Sequence, residues 1–142
     1  MKPALRYLAI LVVFAFAVVA GWRDVGQMQA ERYAQADPER ALGWRPDHPQ
    51  ALLVLAERQL AEGRFAESQA NARRLLAHEP LQGVAFRLLA DAADREGRRD
   101  DAFRLYLIAE KRAPRDLQAS AWLTQRYLER GDFAKALDQV DR

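Results

Sequence analysis

Three glycines, Gly63, Gly97 and Gly131, stand 34 residues apart, and four further columns keep the same step. These are Leu55, Leu89 and Leu123; Ala56, Ala90 and Thr124; Ser68, Ala102 and Ala136; and Pro46, Pro80 and Pro114. A fixed internal period of this length constrains the fold more than composition does, because each unit is one supersecondary element whose apolar face is covered only by its neighbours. Within each period the apolar residues recur at helical spacing, over about 49–61, 82–95 and 117–130 and again over about 65–77, 99–112 and from 133 onward. Each first run stops at one of the three glycines, which take the left-handed conformation a helix C-terminus favours. The second runs close on Pro80 and Pro114, which cannot continue a helix. With no alternating strand pattern anywhere, the reading is all-α, built from helix hairpins.

The columns resemble the tetratricopeptide repeat family, whose pattern runs Trp, two residues, Leu-Gly, two residues, Tyr, then Ala, three residues, Phe, then Pro. The middle repeat carries it as Phe86, Leu89, Ala90, Ala93, Ala102, Tyr106 and Pro114; the first as Leu52, Leu55, Ala56, Gln59, Ser68, Ala72 and Pro80; the third as Ser120, Leu123, Thr124, Tyr127, Ala136 and Val140. Ala93 and Ala72 are smaller than the aromatic residues they replace, and Phe65, Phe103 and Phe133 are the neighbours expected to fill that space. The resemblance implies a right-handed superhelix over residues 47–142 with about three repeats, at about 49–82, 83–116 and 117–142, the last incomplete and lacking a polar cap over Leu137 and Val140. Residues 23–46 read as connecting helices and a degenerate half-repeat, with Asp37 capping a short helix that starts at Pro38 and ends near Trp44.

Residues 1–22 read as a membrane-directed segment. Lys2 and Arg6 precede an uncharged apolar run that includes Leu8, Leu11, Val12, Phe14, Phe16 and Val18, and Tyr7 and Trp22 fit the two interfaces. A retained transmembrane helix is preferred over a cleaved signal, since Trp22 falls just past the small residues a peptidase would use. The positive-inside rule then places the N-terminus in the cytoplasm and the repeats in the periplasm, as a single-pass protein of a bacterial inner membrane.

Composition narrows the function. Cysteine is absent, which excludes disulfides and thiolate chemistry. Of 22 basic residues only Lys2 and Arg6 precede Arg23, so the rest of the chain carries 20 basic and 20 acidic residues and shows no basic stripe of the kind nucleic acid requires. The only histidines, His48 and His78, sit beside inter-repeat prolines, and Asp100 and Asp101 fit a helix start. No catalytic, metal or cofactor site and no small-molecule substrate is expected. The family resemblance instead implies a partner-binding groove on the first helix of each pair: Gln50, Leu53, Glu57 and Leu60; Val84, Arg87, Asp91 and Arg95; Gln118, Ala121, Gln125 and Leu128. A carboxylate-terminated peptide is disfavoured there, because the lysine and asparagine of the family's chaperone-tail clamp would fall at Leu53 and Glu57. The expected role is a protein-interaction scaffold or assembly factor of an envelope complex. Exopolysaccharide synthesis and secretion is preferred among the settings in which exported members of the family work. The alternatives are the N-terminal regulatory region of a larger enzyme such as a glycosyltransferase, and a secreted adaptor.

Overall fold

The structure, a computed structural model, describes residues 3–140; within the first helix the side chains at 3–10, 14, 16, 17, 20 and 22–24 lie outside the described set. The described residues form eight helices and no strand: α1 (Pro3–Tyr33), α2 (Pro38–Trp44), α3 (Pro49–Ala61), α4 (Phe65–His78), α5 (Gly83–Arg95), α6 (Arg99–Arg112), α7 (Leu117–Glu129) and α8 (Phe133–Val140). The chain divides within α3 into two compact units, Met1–Ala51 and Leu52–Arg142.

In the first unit α1 packs on α2 around Ala30, Ala34, Ala41 and Ala51, with Tyr33 and Leu42 against them. Alanines at the contact let the helices approach closely. Asp37 caps α2 by accepting the Arg40 N–H at 3.1 Å, and Pro38 occupies the first turn, where its missing N–H is no loss. α1 is continuous from Pro3 to Tyr33, so no helix boundary falls at the expected junction of residues 22 and 23.

The membrane assignment is corrected. Among the described residues no helix is long and apolar enough to cross a membrane, which overturns the single-pass inner-membrane topology with a periplasmic repeat region. The expected span, residues 3–22, reaches about 30 Å at ~1.5 Å per residue only by counting Arg6 and the flanks of the uncharged run over 8–20. The same helix then continues into Gln27, Glu31 and Arg32. Leu11, Val12 and Val18 are exposed, and the side chains of Leu8, Phe14 and Phe16 lie outside the described residues.

From α3 onward the 34-residue step appears directly in the backbone. α3, α5 and α7 begin at 49, 83 and 117 and end at 61, 95 and 129; α4, α6 and α8 begin at 65, 99 and 133. Each first helix ends the same way. The Arg64 N–H reaches Gln59 O at 2.8 Å, Arg98 N–H reaches Ala93 O at 2.8 Å and Asp132 N–H reaches Tyr127 O at 2.9 Å, each across a glycine at φ 76°, 79° or 73°. This pattern satisfies carbonyls that a terminating helix otherwise leaves orphaned. A side chain at positive φ is strained, so Gly97→Ala is expected to lower stability by about 1 to 2 kcal/mol, read as a fall in the urea midpoint at unchanged slope.

The small columns sit where helices touch: Ala56, Ala90, Ala102 and Ser68 are fully buried, and Ser68 Oγ donates to Ala56 O at 2.8 Å. One core gathers Ala56, Leu60, Ala72, Leu88, Leu89 and Ala92 with Phe65 against it. The next gathers Ala90, Ala93, Ala102, Tyr106, Leu123 and Tyr127 with Phe103 against it. Phe133 does not play the expected part. It is 69% exposed, as are Leu137 (63%) and Val140 (69%).

Candidate partner-binding face

The first helices of the three hairpins are tied together at Arg87. Its guanidinium meets Asp116 at 2.8 Å, Asp91 at 3.1 Å and Glu57 at 3.7 Å, so one residue of α5 bridges α3 and the start of α7. Arg87 and Asp116 keep only 13% and 12% of their side-chain surface exposed. The pairing is therefore not an ordinary solvated one, and a planar fork with several donors suits three acceptors at once. One cation faces three carboxylates, which leaves the centre of this face acidic.

Asp91 and Asp116 each do more than one job. Asp91 accepts the Tyr106 hydroxyl from α6, and burial, reinforced by that hydrogen bond to a carboxylate, pushes the Tyr106 phenol well above its ordinary pKa, so it stays a neutral donor. Asp116 Oδ1 also caps α7, accepting the Gln118 N–H at 3.1 Å and the Ala119 N–H at 3.3 Å, while its Oδ2 takes Arg87 Nε. Tyr106 stacks on Trp122 at 4.2 Å between ring centroids, and Trp122 Nε1 donates to Asp94 at 3.1 Å. The polar network thus continues into an aromatic one joining α5, α6 and α7. Beside it, Asp94, Arg99, Trp122, Gln125, Arg126 and Glu129 line a cleft of about 160 Å3.

The expected groove residues are partly gathered. Glu57, Arg95, Gln118, Ala121, Gln125 and Leu128 are exposed, and Leu53, Val84, Arg87 and Asp91 are half-buried. Gln50 is exposed but belongs to the first unit. Leu60 is a correction: it is 6% exposed and packs with Ala56, Leu88 and Leu89, because α5 covers the last turn of α3. Arg95 spans the same place, donating to Leu60 O at 3.1 Å.

Asp94, Asp116 and Trp122 belong to this face, with the buried Tyr106 of α6 bonded to its Asp91, and none of the four was among the expected groove residues. A signal for two of them exists in the sequence: Trp122 lies four residues after Gln118 and three before Gln125, and Asp116 occupies the N-cap position before Leu117. His48 is structural, 6% exposed with Nδ1 accepting the Ala51 N–H at 3.3 Å. Asp100 and Asp101 lie in the first turn of α6. Among the described residues no group of three or more His, Asp or Glu side chains could hold a metal ion. No protein-family model matches the chain, and no curated protein matches it.

Proposed function

We propose that the second unit is a protein-interaction scaffold of tetratricopeptide type, whose α3, α5 and α7 face receives a segment of a partner protein. The observation that carries this reading is the bridge from Arg87 to Glu57, Asp91 and Asp116. It locks successive first helices into one preorganised surface, and a surface fixed before binding loses less conformational entropy when the partner arrives. The exposed side chains around it, Gln118, Ala121, Gln125 and Leu128, are adaptable amides and modest apolar contacts. Such a mixture suits a peptide or helix better than a small substrate, which calls for a deep, mostly apolar pocket.

A photo-crosslinking amino acid at Ala121 or Gln125 tests the reading, with Arg104 on α6, 72% exposed, as the control. Arg87 and Asp91 are unsuitable probe sites because replacing them opens the network. The expected result is one discrete adduct from both α7 positions and none from Arg104. Equal labelling from all three positions, or none from any, would count against the assignment.

A further inference from the structure

A recess adjoins the Arg87 network at the start of α5. It measures about 510 Å3 and is walled by Val84, Ala113 and Pro114, with Arg115 and Asp116 on its remaining side. Asp116 belongs to both features, since it lines the recess and takes Arg87 Nε at 2.8 Å. The apolar wall is particular to this layer. At the same register one period earlier, Gln50 and Glu79 stand in place of Val84 and Ala113, and Glu79 accepts a hydrogen bond from Gln82 at 3.1 Å. An open recess with aliphatic walls beside charged groups suits one apolar side chain better than a whole small molecule.

Through its Nη2, Arg87 also reaches an acceptor with capacity to spare. Glu57 is 47% exposed, and its contact with Arg87, at 3.7 Å, is beyond hydrogen-bond length. Its carboxylate accepts no hydrogen bond among the described residues. The cations of the face are committed instead. Arg87 is divided among three carboxylates, Arg95 donates to Leu60 O at 3.1 Å, and farther along α7 Arg126 is held by Glu129 at 2.7 Å. Arg115, at the rim of the recess, is exposed and screened by solvent. Around Arg87 and Arg95 stand four carboxylates, those of Glu57, Asp91, Asp94 and Asp116, so negative charge is in excess. Tyr106 registers that excess: burial is the main cause of its raised pKa, but Asp91 and Asp94 add to it through space.

We propose that the partner segment carries a lysine or arginine beside an aliphatic residue, the cation pairing with Glu57 and the aliphatic side chain entering the recess at Val84, Ala113 and Pro114. The inference rests on the α3, α5 and α7 face being the partner-binding surface, and it adds the chemistry that this surface selects. Recess and carboxylate are joined through a single guanidinium, so neighbouring residues of one short segment reach both.

Selection of a phage-displayed library of short random peptides against the full chain, followed by NMR titration with the synthesised winners, tests it. The expected result is enrichment of peptides with lysine or arginine next to, or one residue removed from, leucine, isoleucine, valine or methionine. They shift the signals of Glu57, Val84 and Ala113. Glu57→Gln, which has no hydrogen bond to lose, keeps the circular dichroism spectrum and weakens these peptides about fivefold, as one partly exposed charge pair would. Replacing the peptide's aliphatic residue by alanine leaves the protein untouched and weakens binding about tenfold. Peptides that bind this face without a basic residue, or with an acidic one, would overturn the proposal and leave the protein-binding reading standing. Unchanged affinity in Glu57→Gln or with the alanine peptide would do the same. Failure to select any peptide that binds this face would overturn both.

Discussion

Arg87→Ala is expected to cost about 3 to 5 kcal/mol, the range found when one partner of a buried ionic network is removed. The cost arises from what stays behind. Asp116, 12% exposed, and Asp91, 22% exposed, lose their counter-charge while Glu57 remains nearby, so three carboxylates face one another in a partly desolvated place. Against a total stability of about 5 to 15 kcal/mol for a protein of ordinary size, the variant keeps only a fraction of its margin. At a slope of about 2 kcal/mol/M the urea midpoint falls by roughly 2 M. Arg87→Lys should fall between the two, since it keeps the charge but cannot present a planar fork to Asp91 and Asp116 together. Arg98→Ala is the control: its pairs with Glu96 and Asp101 are on the surface, and its removal should leave the midpoint unmoved. A loss at Arg87 no greater than at Arg98 would mean that the network contributes nothing to locking the three hairpins, and the preorganised face would lose its basis.

The hairpins could be read from the sequence because their causes are local. A glycine at positive φ after each first helix, a proline after α4 and α6, and alanine or serine at the close contacts are properties of single residues repeated at a fixed step. The site was legible only in part because its causes are not local. Arg87 and Asp91 are visible as an i,i+4 pair, but the partners that make them a bridge, Glu57 and Asp116, lie 30 and 29 positions from Arg87 and become neighbours only when the hairpins stack. The family resemblance puts Leu60 in the groove column, but α5 covers the last turn of α3 and buries it. The N-terminal segment failed for the opposite reason. Its apolar run resembles a membrane span locally, yet it is one part of a 31-residue helix whose remainder carries Gln27, Glu31 and Arg32.

Gly83→Leu is the second large effect, and two considerations pull in opposite directions. Sequence comparison within the chain favours the change, because α7 carries Leu117 at the same register, and leaving glycine is a gain of up to about 1 kcal/mol in helix propensity. Packing opposes it. A Cβ on Gly83 would stand 2.6 Å from Ala113 Cβ, 3.0 Å from Ala113 N and 3.2 Å from Ala109 O, so the start of α5 is pressed against the end of α6 with no flexible side chain between them. Leu117 escapes this constraint, being 82% exposed. Overpacking into backbone costs about 1 to 3 kcal/mol for added methylenes, and four heavy atoms against a rigid wall belong at the upper end. The net expectation is a loss of about 2 to 3 kcal/mol, or roughly 5 to 10 °C in the thermal midpoint of a chain this size. Gly83→Ala should already be destabilising. Gly43→Ala, with nothing within 4 Å of the new Cβ, should be neutral or stabilising, since there only helix propensity acts. If Gly83→Leu were as stable as the parent, the end of α6 would have to yield at Ala113. The close approach that aligns α5 with α6, and with it the placement of Arg87 opposite Asp116, would then not be fixed by this contact.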